Sequence, residues 1–227
     1  MSSRPVLTDA VVTALRDALT FWLPIACAGC GLVDVGLCIG CRAALAASPH
    51  RRRTEAGLVV TSALEFSGVP ARVLRALKEE GRTSLARALA PALGEVLTDV
   101  AGEGAVVTTV PSSRAAYRRR GYRPVDLLAR RSGWPPVPLL RAAGTPRDQR
   151  GLGRAARRAN VGGVFVSRRV PGRDVVLVDD VVTTGATLDD AARALRAAGA
   201  RRVVAVTLAH TPRRLDRGAH GTKPRNG

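Results

Sequence analysis

Lysine is almost missing from this chain. Of its 36 basic residues only Lys78 and Lys223 are lysine, and the others are arginine. Aromatic residues are equally sparse, at 3% of the chain, and they stand singly. A surface that stacks the bases of a single strand needs several aromatics on one face, so their scatter argues against a dedicated module of that kind. No stretch approaches the roughly 18 consecutive apolar residues of a membrane helix, and no membrane span is expected. The opening residues carry Arg16 and Asp17 within their apolar part. That interrupts a signal-peptide core, and a cytoplasmic location is the expectation. A Walker A glycine loop followed by Lys-Thr or Lys-Ser is also missing.

What is present is a chain of 227 residues and 46% hydrophobic composition, enough for one globular domain with a small appendage. The formal charge of +18 is unevenly spread. Residues 112–160 hold 13 basic and 2 acidic residues, and residues 201–227 hold 7 and 1. Concentrated positive charge implies an anionic partner, either a phosphate-bearing small molecule or nucleic acid. A GC-rich coding sequence, which favours arginine, is the alternative source.

All four cysteines fall in one window, as Cys27-Ala-Gly-Cys30 and Cys38-Ile-Gly-Cys41. Two C-x-x-C pairs can turn four thiolates onto one ion, and a site with four protein ligands is closed and structural. Zinc suits four sulfurs best; disulfides and an iron–sulfur cluster are the alternatives. Ahead of this knuckle, Thr8 to Leu23 places Val11, Leu15, Ala18 and Trp22 on one helical face that would dock on the body of the protein.

The most informative run extends from Arg173 to Leu188. Val175 to Val178 is continuously apolar, as in a strand buried in a parallel sheet. The carboxylates Asp179 and Asp180 follow, then a turn from Thr183 to Thr187, then a helix with Leu188, Ala191, Ala192 and Leu195 at helical spacing and Gly199 beyond it. Val203 to Leu208 forms the next strand. Backbone N–H groups and threonine hydroxyls at a helix N-terminus make a phosphate cradle. The carboxylates suit vicinal sugar hydroxyls, or a divalent ion bridging sugar and pyrophosphate. This run resembles the 5-phosphoribosyl 1-pyrophosphate (PRPP) signature of type I phosphoribosyltransferases at every position from Val175 to Thr187. That signature involves Asp179, Asp180, Val181, Thr183, Thr184, Gly185, Ala186 and Thr187.

Elsewhere, Ala105 to Val110 reads as a strand leading into a cationic loop that contains Arg118, Arg119, Arg120 and Gly121. Such a loop is placed to hold pyrophosphate, with a solvated basic helix face as the alternative. Helices are expected at Pro70–Glu80, Ser84–Val100 and Val125–Arg131, and short strands at Val137–Leu140 and Val164–Val166. The polar stretch between those two strands, with Gln149, Arg158 and Asn160, reads as a lid that would keep water from a reacting anomeric carbon. Lys78 stands in Leu77-Lys78-Glu79-Glu80-Gly81.

The double C-x-x-C, Leu77-Lys78 with Gly81, Val110-Pro111, Arg120-Gly121-Tyr122, the residues Gln149, Arg158, Asn160 and Phe165, and the full signature together resemble the ComF family of competence-associated proteins. One departure is Arg123-Pro124, where the family often has Asn-Gln. The resemblance implies a type I phosphoribosyltransferase fold: a mostly parallel α/β sheet flanked by helices, with a small N-terminal zinc knuckle built from the four cysteines. It also implies PRPP binding with Mg2+ and an association with DNA uptake.

The expected organisation is an N-terminal helix (1–24), the knuckle (25–50), the phosphoribosyltransferase-like domain (58–210) and a disordered basic tail (211–227). Two functions remain in view. One is transfer of phosphoribosyl to an unidentified acceptor; the other is a non-catalytic PRPP sensor or adaptor contacting single-stranded DNA or the uptake machinery.

Overall fold

The computed structural model describes residues 25–143 and 164–212. The expected N-terminal helix, the lid residues Gln149, Arg158 and Asn160, and the tail beyond 212 lie outside the described residues.

The apolar run at Val175 does form an interior strand of a sheet. Strand β6 (Asp174–Val182) pairs in parallel with β7 (Arg202–His210) on one side and β3 (Val106–Thr109) on the other. Beyond β7 lie β2 (Val59–Glu65), again parallel, and the antiparallel edge strand β1 (His50–Arg53). The order is therefore β1-β2-β7-β6-β3. A separate antiparallel pair is formed by β4 (Leu140–Ala142) and β5 (Phe165–Ser167). Ahead of the sheet, the second cysteine pair opens a short helix, α1 (Ile39–Ala43).

Alternation along β6 divides the core in two. Val176 and Val178 pack on one face with α2 (Gly68–Glu79), α3 (Ala86–Val100) and α5 (Pro124–Arg131). Their partners there include Leu74, Leu89, Leu93 and Leu128, all at most 1% exposed. Val175 and Leu177 pack on the other face against Leu188, Ala191 and Leu195 of α6 (Ala186–Ala197) and Phe165 of β5. Burial on both faces explains why this strand reads as continuously apolar. No described helix is long and apolar enough to cross a membrane.

Several boundaries differ from the sequence reading. The segment expected as a cationic loop after β3 contains a helix, α4 (Arg114–Arg120). Ser113 caps it by accepting a hydrogen bond from the Ala116 N–H at 3.1 Å, and Gly121, at φ 75°, ends it in the left-handed conformation. The expected strand at Val137–Leu140 shifts to Leu140–Ala142, because Pro136 and Pro138 cannot donate to a ladder. The antiparallel hairpin β1–β2 has no counterpart among the sequence expectations. Its first strand belongs to the sheet although it precedes the domain start expected at residue 58.

Truncating Leu177 to alanine removes a side chain that packs between β6 and α6. The expected cost is about 2–5 kcal/mol, read as a lower urea midpoint with an unchanged m-value.

Candidate functional site

The knuckle is assembled as the cysteine spacing requires. The four Sγ atoms of Cys27, Cys30, Cys38 and Cys41 lie within 4.8 Å of one another. No disulfide joins any two of them in the structure. Cys30 and Cys38 Sγ are 3.7 Å apart, close to the roughly 3.8 Å edge of a tetrahedron with zinc–sulfur bonds of about 2.3 Å. The Cys38 N–H donates to Cys27 Sγ at 3.3 Å, and the Cys41 N–H donates to Cys38 Sγ at 3.4 Å.

Charge is unevenly shared among the thiols. Backbone N–H donors, that of Cys38 foremost, pull the Cys27 thiol down to about 5. Burial, and then the neighbouring thiols, push Cys41 up to about 12. One thiolate is stabilised while Cys41 resists ionising beside it, a conflict that a divalent cation removes. The donor set therefore fits a structural zinc. Arg72 Nε donates to the Gly29 carbonyl, and Arg82 Nη2 to that of Gly36 at 2.8 Å, so the knuckle is fastened to α2 and the turn after it.

The second site lies at the carboxyl end of β6, where α/β sheets bind ligands. Asp179 and Asp180 sit inside the strand rather than in the turn after it, and alternation sends them to opposite faces. Asp180 meets Lys78 of α2, with Nζ and Oδ2 2.8 Å apart. Asp179 is aligned with the buried Thr207 of β7, whose hydroxyl is 2.7 Å from that of Ser62. The Asp180 N–H donates to Asp179 Oδ1 at 2.8 Å. Burial, with the Asp180 charge second, pushes the Asp179 carboxyl up to about 7, against the opposing pull of that N–H and of Lys78.

The turn that follows ends at Gly185, with φ 98°, which caps α6. A Cβ there would lie 2.5 Å from Thr54 Cγ2, so glycine is required by both conformation and space. Thr183, Thr184, Ala186 and Thr187 are exposed, and the Ala186 N–H reaches Thr184 Oγ1 at 3.4 Å. The first N–H groups of any helix have no intrahelical acceptor, so this turn offers donors at the positive end of α6.

The residue after the cationic candidates contacts α2. Tyr122 donates its hydroxyl to the Leu77 carbonyl, one residue from Lys78. This contact ties the Arg118–Gly121 segment to the lysine helix. Arg118 and Arg119 are exposed and Arg120 is half-buried. Lys78 itself contacts the acid pair.

Sequence reasoning missed Arg52 and Thr54. Arg52 Nη2 donates to the Thr183 carbonyl, and Thr54 Oγ1 donates to Asp189 Oδ1 on α6. The visible signal was the Gly57 turn that follows the short basic run His50–Arg53, a hairpin pattern.

Two outcomes follow. One zinc per chain is expected by metal analysis of the purified protein, and Cys41→Ser should lose it with a fall in thermal stability. Asp179 ionises less readily folded than unfolded, so its stabilising contribution is complete below about pH 4 and fades as pH rises to about 7. Asp179→Asn should flatten that part of the stability–pH profile, measured by denaturant titration.

Comparison with known proteins bears on the carboxyl-terminal half of the chain, which contains the second site. Residues 138–226 match the phosphoribosyl transferase domain family. The chain is similar to competence protein F of Haemophilus influenzae (strain ATCC 51907 / DSM 11121 / KW20 / Rd), 36% identical over 106 residues. That similarity covers 43% of this chain and 46% of the relative, so it spans less than half of the relative's length. Among solved structures, a glutamine PRPP amidotransferase from B. subtilis, complexed with ADP and GMP, matches with 27% identity and a TM-score of 0.36. It covers 55% of this chain and 26% of that one. TT1426 from Thermus thermophilus matches with 23% identity and a TM-score of 0.32, covering 59% and 86%. Both superpositions are partial, and the fold assignment rests on the parallel sheet and the family match. The phosphoribosyltransferase domain, the similarity to competence protein F and the N-terminal four-cysteine cluster together fit a ComF-family protein.

Proposed function

We propose that this chain binds PRPP with Mg2+ at the carboxyl end of β6 and transfers its phosphoribosyl group to an acceptor, releasing pyrophosphate. Asp179 and Asp180 hold the ribose hydroxyls, directly or through the metal. The N–H and hydroxyl groups of Thr183, Thr184, Gly185, Ala186 and Thr187 hold the 5-phosphate. Arg118, Arg119 and Arg120, with Lys78, take the pyrophosphate. The observation that carries this reading is one continuous stretch in which two carboxylates stand near the carboxyl end of a buried strand, and the chain after Val182 bends into a helix N-terminus.

In the transfer, the bond from the anomeric carbon to the pyrophosphate oxygen breaks and its electron pair leaves with pyrophosphate. A bond from that carbon to the acceptor replaces it. Negative charge grows on the departing group, so arginines fixed near it lower the barrier electrostatically. Mg2+, a hard cation suited to carboxylate and phosphate oxygens, would be held by Asp179 and Asp180 and would neutralise part of that charge. The Asp179 carboxyl, raised first by burial and second by the Asp180 charge, supports this assignment, because a cation beside it would favour the carboxylate. The Lys78–Asp180 ion pair supports a second use for the lysine: once Asp180 engages the metal or a hydroxyl, Lys78 can turn to the pyrophosphate. The name of the Haemophilus relative supports a role in competence, with DNA uptake as its setting.

Calorimetric titration with PRPP and Mg2+ is the test. Wild type is expected to bind. The double variant Asp179→Asn, Asp180→Asn should weaken binding at least about tenfold, equivalent to about 1.4 kcal/mol. Magnesium-dependent pyrophosphate release should vanish in Asp180→Ala with folding intact. Binding without release, whichever nucleobase is supplied, would instead mark a PRPP sensor or adaptor. Failure of wild type to bind would overturn the reading.

A further inference from the structure

Pro91 stands inside α3 and has no N–H, so the Arg87 carbonyl, four residues back, does not receive its α-helical hydrogen bond. Arg87 itself lies in the first turn of α3, where a cation opposes the helix dipole, and no acid balances it there. Neither feature stabilises the helix. Together they leave a guanidinium and a carbonyl lone pair on one exposed residue.

Two clefts meet at Arg87. The first, of about 220 Å³, lies between the knuckle and the start of α3, with Leu37 and Arg42 on one wall and Ser84 and Arg87 on the other. The second, of about 430 Å³, lies between α3 and the end of α5, and its lining includes Arg87, Pro91, Gly94, Arg131 and Ser132. The two helices close together there, since a Cβ on Gly94 would lie 3.0 Å from the Ser132 carbonyl oxygen. Neither cleft is lined by an acidic residue, and the acids of α3, Glu95 and Asp99, border neither. Arg42, Arg87 and Arg131 are exposed, and none has a hydrogen bond or ion pair with another described residue. Arg82, beside the first cleft, is already engaged by the Gly36 carbonyl and Glu80.

The rest of the chain does not supply the opposite charge. Residues 1–24 hold two basic and two acidic residues, 144–163 hold five and one, and 213–227 hold five and one. A second copy, at a formal charge of +18, would be repelled. The complementary surface is therefore another molecule, and an anionic one. A DNA backbone would satisfy the arginines but has no donor for the Arg87 carbonyl, and no aromatic side chain lines either cleft to stack a base. A polypeptide brings carboxylates and N–H donors together.

We infer that the face of α3 between the knuckle and α5 docks an acidic segment of a partner protein. Its carboxylates meet Arg42, Arg87 and Arg131, and one of its N–H groups meets the Arg87 carbonyl. Half-buried Leu37 and exposed Pro91 offer apolar footing between the charges.

The test follows the fluorescence anisotropy of a short labelled peptide of alternating Glu and Leu, and of an oligothymidylate of equal charge, as the full chain is added at physiological salt. Arg87→Ala should weaken peptide binding about tenfold, and Arg42→Ala and Arg131→Ala about three- to tenfold each. Pro91→Ala restores an N–H to the Arg87 carbonyl and leaves every charge in place. It should raise the melting temperature and still weaken peptide binding about three- to tenfold, with oligothymidylate binding unmoved. Arg196→Ala, at an exposed arginine of α6 that lines neither cleft, should leave peptide binding unchanged. Losses for Arg196→Ala as large as those for Arg87→Ala would reduce the attraction to net charge and overturn the inference, as would a wild type that does not bind the peptide. Peptide binding indifferent to Pro91→Ala would remove the carbonyl contact and with it the choice of a polypeptide. An Arg87→Ala loss confined to the oligothymidylate would overturn the inference in favour of a nucleic-acid backbone.

Discussion

A strand buried on both faces cannot carry charge until it reaches the sheet's edge, and β6 carries two carboxylates at the first positions where the sheet lets them meet a partner. Val175 to Val178 are all at most 2% exposed, and Asp179 and Asp180 follow without a spacer. Each acid is answered differently. Asp180 receives the Lys78 ammonium, whereas Asp179 stays desolvated and tends to hold its proton. The pair is thus a lysine-paired acid beside a desolvated one, and the arrangement favours whatever brings positive charge or hydroxyl donors to it.

Helix α2 is the element that relates the separate pieces. Arg72 on it bonds the knuckle at Gly29, Leu77 accepts the Tyr122 hydroxyl from the arginine-rich segment, and Lys78 pairs with Asp180. One helix therefore touches the four-cysteine knuckle, Tyr122 beside the cationic segment, and Asp180. Rigid spacing of this kind matters more to a charged site than the strength of any single contact, since electrostatic stabilisation depends on donors that need no rearrangement.

The helices and the central strands were legible because their periodicity is set by burial. Leu74 and Leu77, or Leu89, Leu93 and Val96, recur at helical spacing and all enter the same core. The knuckle was legible because thiolate spacing alone nearly determines a four-sulfur cluster. The strand–turn–helix unit around Gly185 was legible because an apolar run, a glycine and a helical repeat occupy consecutive stretches. The β1–β2 hairpin was not: His50 to Arg53 is basic and largely exposed, so it carries no apolar alternation to mark it as a strand. The helical form of the segment after Ser113 entered the sequence reading only as the alternative, a solvated basic helix face, because Tyr117, Arg118 and Arg119 are exposed and bury no apolar stripe.

Local residue order thus determined the parts whose chemistry is contiguous: four thiols in one short window, and two acids followed by a turn that only glycine at 185 permits. Tertiary structure alone decided that Lys78 meets Asp180 from a distant part of the chain, and that Arg52 and Thr54 brace a turn 131 and 135 residues away at Thr183 and Asp189. The physical reason is that sheet order, not sequence distance, sets neighbours. Antiparallel pairing puts β1 on the outer edge, and parallel stacking aligns the carboxyl ends of β2, β7 and β6, so residues remote in the chain converge where the strands end.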